Sequence, residues 1–152
     1  MHGALAIRVS LVVIAALTLG CGGGSSSPTE PAARRDTLVL LSADPPEGTH
    51  VRLDGDVQVL ARFRYTFGQP TGGKVVVLVH PLPFGLPLLT DPLLAQADVA
   101  GQEGEATLRF TIHLDDPDQQ LSPGPIAADF ALFPQGQRES TASAQIRYEV
   151  VP

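Results

Sequence analysis

Val57-Gln58-Val59-Leu60-Ala61-Arg62-Phe63-Arg64-Tyr65-Thr66-Phe67 alternates apolar and polar residues with a period of two. Val57, Val59, Ala61, Phe63, Tyr65 and Phe67 fall on one face. Gln58, Arg62, Arg64 and Thr66 fall on the other, and only Leu60 breaks the pattern. Successive side chains of a strand point to opposite faces, so this stretch is a strand with one face buried and one in water.

Working outward, the same pattern recurs. Ala106, Leu108, Phe110, Ile112 and Leu114 alternate with Thr107, Arg109, Thr111 and His113. Ala142, Ala144, Ile146, Tyr148 and Val150 alternate with Thr141, Ser143, Gln145, Arg147 and Glu149. Ile126, Ala128, Phe130 and Leu132 form an inward row before a turn at Pro134-Gln135-Gly136-Gln137. Lys74-Val75-Val76-Val77-Leu78-Val79-His80 is apolar on both faces, which predicts a central strand. Thr37 to Ser42 opens the domain, and a shorter strand is expected near Leu93 to Val99. Seven strands follow, separated by Gly, Pro and Asp clusters, and no long stretch has helical periodicity. The fold class is all-β. A seven-stranded antiparallel sandwich is expected, with a small barrel or jelly roll as the alternatives that pattern leaves open.

The amino-terminal fifth has a different composition. A weakly positive start with His2 and Arg8 precedes an apolar run from Val9 to Leu19, then Gly20 and the single cysteine, Cys21. This is the order of a secretory signal. The apolar run is about half of the ~20 residues a membrane-spanning helix needs. Gly22 to Arg35 is rich in Gly, Ser and Pro, which predicts a disordered tether spanning roughly 20 Å as a coil. The expected organisation is a signal segment at 1–20, a lipidated cysteine and tether at 21–35, and one folded domain at 36–152.

Two resemblances rest on these residues. Leu17-Thr18-Leu19-Gly20-Cys21 resembles the lipobox of bacterial lipoprotein precursors. That resemblance implies lipidation of Cys21, cleavage before it, and a membrane anchor; Gly22 in place of aspartate implies the outer membrane or cell surface. Strand number and spacing at 36–152 resemble immunoglobulin-like and fibronectin type III-like sandwiches, nearest to the Ig-like modules of exported bacterial proteins. The Pro45-Pro46-Glu47-Gly48 turn fits such modules, whereas the disulfide and buried tryptophan of antibody domains are absent.

Charge and motifs restrict the function. The net charge of −6 argues against nucleic acid, which requires a basic face. Nucleophile elbows, P-loops and zinc-protease motifs are absent, so no enzyme is expected. His50, His80 and His113 stand about thirty residues apart, without metal-ligand spacing, and His113 falls on the outward face of its strand. Glu103 and Glu105 read as turn residues. Tyr65 and Tyr148 both fall on inward faces, and the folded part has no tryptophan, which disfavours a glycan platform.

Two segments remain as candidate sites. In a sandwich of this topology the connections after the first, third and fifth of the seven expected strands share one end. They contain the acidic residues Asp54, Asp56, Asp115, Asp116 and Asp118, which either form turns and solvated charge or supply oxygens to a structural calcium. They also contain the Pro-rich run 81–92, with Leu82, Phe84, Leu86, Leu88 and Leu89. Such an apolar loop is either a flap over an open sheet edge or an exposed partner-binding patch. The expectation is a membrane-anchored protein-binding or structural module of the envelope; the alternative is a small-ligand or calcium-binding domain.

Overall fold

The computed structural model describes residues 35–69, 71–83, 86–92, 95–115 and 121–152. Cys21, Phe84, Asp116 and Asp118 lie outside the described residues, as do the signal and tether segments up to residue 34. All described strands belong to one compact unit, residues 32–152.

Nine strands occur among the described residues: β1 Thr37–Asp44, β2 His50–Arg52, β3 Asp56–Thr66, β4 Gly73–Pro81, β5 Thr90–Asp91, β6 Gln96–Val99, β7 Glu103–His113, β8 Gly124–Pro134 and β9 Ala142–Val151. No described residue is helical. The strands build two sheets, ordered β1-β3-β7-β5 and β2-β9-β8-β4-β6. The fold is thus all-β and sandwich-like, with nine strands where seven were expected. The two extra strands, β2 and β5, are three and two residues long, too short for alternation to register. Nor is the arrangement purely antiparallel, because β2 runs parallel to β9.

The alternating rows meet between the sheets. β3 contributes Val59, Ala61, Phe63 and Tyr65, and β7 contributes Leu108, Phe110 and Ile112. From the opposite sheet come Val75, Val77 and Val79 of β4, Ile126, Phe130 and Leu132 of β8, and Ile146, Tyr148 and Val150 of β9. All are buried. Phe130 packs on Phe63 with ring centroids 4.6 Å apart and on Phe110 at 6.1 Å, so one ring ties the two sheets together.

β4 is an inner strand of its sheet, between β8 and β6, as its apolar run predicted, although β6 pairs only with Gly73 to Val76 and Leu78 is exposed. Gly73 is confined there: a Cβ on it would run into the Phe133 carbonyl oxygen. Glu103 and Glu105 are strand residues of β7. Glu105 takes ion pairs from Arg62 at 3.2 Å and Arg64 at 3.4 Å across the outer face.

The register separates two ends of the sandwich. β3 runs from Asp56 to Thr66, and its partners place Thr37 and Glu103 at its last residue and His113 at its first. Asp36 stands at the proximal end, where its carboxylate accepts a 2.6 Å hydrogen bond from the Gly68 N–H. The turn at 53–55, the loop after β4 and the residues after β7 gather at the distal end.

Candidate functional site

The distal end brings the apolar loop and part of the acidic set together. Its backbone is tied down at several points. The Leu82 N–H donates to the Pro125 carbonyl at 2.9 Å, the Leu88 N–H to Val79 at 2.8 Å, and the His113 N–H to Leu89 at 3.0 Å. Leu88 thus lies beside β4 at Val79, and the following residues join β7 of the other sheet through β5. Leu88 points inward and is 4% exposed, sealing the side of the core. Leu82 and Pro81 are half-buried. Leu86 and Leu89 point outward, 87% and 42% exposed. Both readings of the loop thus apply to different residues: Leu88 is the flap, while Leu86 and Leu89 are surface.

The acidic residues divide in a similar way. Arg52 donates to both oxygens of the Asp54 carboxylate at 2.9 Å, and this hydrogen bond holds the Asp54 carboxyl below its ordinary range. Asp54 is therefore engaged along its own chain. Asp56 begins β3 directly opposite His113, the last residue of β7. Asp56 Oδ1 lies 2.8 Å from His113 Nδ1. The Leu114 N–H donates to Gly55 at 3.3 Å, holding the exit of β7 against the 53–55 turn and bringing up Asp115. One ligand atom from each of Asp56, His113 and Asp115 lies within 4.8 Å of the others. Of the five acidic residues read as turn formers or, alternatively, calcium ligands, this constellation contains Asp56 and Asp115. Its third member is an imidazole. The outward position of His113 was legible from alternation, but its partner was not, because the strand register that opposes it to Asp56 is a tertiary property.

A second polar group lies on the outer face of the five-stranded sheet. His80 Nε2 is 2.7 Å from Asp129 Oδ2, and its Nδ1 is 3.0 Å from the Pro81 carbonyl oxygen. Gln145 Nε2 donates to Asp129 Oδ1 at 2.6 Å, and Arg147 Nε donates to Gln145 Oε1 at 2.7 Å. The hydrogen bond to Asp129, aided by that to Pro81, raises the His80 pKa against the opposing effect of burial. Burial pushes the Asp129 carboxyl up, but hydrogen bonds from Gln145 and His80 and the charges of His80 and Arg147 outweigh it and hold the group below its usual value. Alternation of residue types carries no sign of this network, which spans three strands.

At the proximal end a groove of about 520 Å³ opens between Thr71, Lys74, Asp98, Gly101, Phe133 and Gln137. The Lys74 ammonium stands 5.9 Å from the Phe133 ring centroid beside it. Tyr65, buried below, donates its hydroxyl to the Ala100 carbonyl at 2.7 Å.

No family model matches the chain, and no curated protein matches it. Solved structures do. An alkylpurine DNA glycosylase, AlkC, from Pseudomonas fluorescens is 14% identical, with a TM-score of 0.43 over 78% of this chain and 31% of that one. A β-glucosidase from Erythrobacter marinus is 15% identical, with a TM-score of 0.40 over 76% of this chain and 16% of that one. The N-terminal domain of PorA is 14% identical, with a TM-score of 0.31 over 74% of this chain and 96% of that domain. The chain thus spans under a third of the length of the two enzymes it resembles. At these scores and identities the likenesses carry no functional argument.

Proposed function

We propose that this chain is an exported lipoprotein, anchored through Cys21 at the outer membrane or cell surface, whose folded domain is a non-enzymatic protein-binding module of Ig-like type. The single observation that carries the binding role is the exposure of Leu86 and Leu89 on a tied-down loop, at the end of the sandwich opposite Asp36. Exposed apolar side chains on a surface loop lose unfavourable contact with water when a partner covers them. The Ig-like reading is supported by the two-sheet order and by β1 and β2, which divide the first part of the domain between the sheets. Lipid anchoring is supported by the lipobox-like residues, since one acyl chain binds membranes marginally and two or more bind stably.

Two experiments test the proposal. Cys21→Ser is expected to move the protein from the membrane fraction to the soluble fraction; unchanged membrane retention overturns the anchor. Cross-linking in the native cells is expected to capture a specific partner that a Leu86→Asp, Leu89→Asp variant of intact fold fails to capture. An unchanged set of partners overturns the loop assignment. A second reading, capture of a small ligand, is supported by the proximal groove. It is tested by soaking small polar fragments and following Lys74 and Phe133 resonances.

A further inference from the structure

We propose that Asp56, His113 and Asp115 form a binding site for a divalent transition-metal ion of the zinc class. The site goes beyond the partner-binding reading and stands whether or not a protein docks at the neighbouring loop.

The argument begins with spacing. The three candidate ligand atoms lie within 4.8 Å of one another. A tetrahedral zinc ion with bonds of about 2.0–2.2 Å places any two ligands about 3.3–3.6 Å apart. Modest side-chain rotation therefore closes the set around one ion. The Asp56 Oδ1–His113 Nδ1 pair, a hydrogen bond at 2.8 Å, has only to open to about 3.4 Å to seat both atoms on such an ion. Both residues are fixed by strand register, as direct partners at the paired ends of β3 and β7. Asp115 follows two residues after His113, held in place by the backbone bond from Leu114 to Gly55. Two of the three donors thus stand on rigid elements, as a preorganised site requires.

The donor chemistry selects the ion. Calcium takes six to eight oxygens, whereas imidazole with carboxylates suits zinc, nickel and related ions. Among the described residues, Asp54, two positions before Asp56, is already paired with Arg52. The electrostatics point the same way. Glu105 and Asp54 have arginine partners, yet among the described residues no Lys or Arg forms an ion pair with Asp56 or Asp115. Two carboxylates converging on one imidazole are neutralised more fully by a dication than by a single imidazolium. Three protein donors fill three of four tetrahedral positions, leaving one for water or an external donor. The His113 backbone N–H donates to the Leu89 carbonyl, so the site adjoins the end of the apolar loop.

The test uses the full chain without a histidine tag, with Cys21 replaced by Ser so that no thiol competes. Thermal melts and titration calorimetry are run with zinc chloride and separately with calcium chloride. Zinc at 100 µM is expected to raise the melting midpoint by several degrees, since an ion that binds only the folded state stabilises it by mass action. Millimolar calcium is expected to leave the midpoint unchanged. His113→Ala and Asp115→Asn, each checked for native circular dichroism, are expected to weaken zinc binding by about tenfold or more. Asp115 lies after the strand and is exposed, so its variant keeps the test valid if His113→Ala fails to fold. Cobalt in place of zinc is expected to give visible absorption bands that both variants lose. Absence of a zinc effect on the parent chain overturns the proposal. So does an equal effect in both variants, or a response to calcium that persists in His113→Ala.

Discussion

His80 presents both ring nitrogens to acceptors, Nε2 to Asp129 Oδ2 at 2.7 Å and Nδ1 to the Pro81 carbonyl at 3.0 Å. A neutral imidazole has one N–H, so only the imidazolium satisfies both contacts. The folded-state pKa of His80 is raised above its unfolded value of about 6.5. Its stabilisation is complete below about pH 6.5 and is lost as pH climbs through the raised value. The Asp129 pKa is lowered, so its contribution is present above about pH 4 and is lost as pH falls through the depressed value. The pair therefore stabilises most between these limits. Because the Asp129 side chain is 41% exposed, solvent screening keeps the effect to about 1 kcal/mol or less. Denaturant melts at pH 5.5 and 8.5 are expected to show a larger loss of stability for the parent chain than for His80→Gln. Identical losses would dismiss the pair.

Phe130 reaches from β8 to Phe63 and Phe110 on the opposite sheet. Phe130→Ala leaves a cavity where three rings meet. The expected cost is about 3–5 kcal/mol in urea denaturation. A cost below 1 kcal/mol would mean that the sheets are not joined there.

Tyr148 is buried and donates its hydroxyl to the Pro45 carbonyl at 3.0 Å. Burial, with the negative charges of Asp44 and Glu47, pushes its phenol up to about 12. The folded state holds this proton more tightly than the unfolded one. Stability is expected to fall as pH rises past about 10, with the loss complete once pH passes the folded value. Ultraviolet titration of the phenolate should show Tyr148→Phe removing the late-titrating tyrosine. At neutral pH the same variant should lose about 0.5–1.5 kcal/mol through the missing hydrogen bond.

Leu86 and Leu88 are two residues apart and opposite in role. Leu88→Ala removes a buried side chain from the flap and is expected to cost about 2–5 kcal/mol. Leu86→Ala changes a side chain in water and should shift stability by no more than about 0.5 kcal/mol. Equal costs by thermal melt would mean that the loop packs differently along its length.

Alternation alone determined much of this protein. The rows Val59-Ala61-Phe63-Tyr65, Leu108-Phe110-Ile112 and Ile146-Tyr148-Val150 were legible as buried because a strand's faces repeat every second residue. The all-β class followed from them, and so did the turns after Asp44 and Pro134. The composition of 1–35 supplies only the expectation of a signal segment and tether, almost all of which lies outside the described residues. Only the tertiary structure decided that β2 pairs parallel with β9 and that β5 docks on β7, because two or three residues contain no period. Strand register decided the rest. It set Asp56 against His113 and Asp129 between His80 and Gln145, joining residues 16 to 57 positions apart in sequence. The backbone bond from Leu88 to Val79 likewise sets Leu88 against the core while Leu86 stays in water.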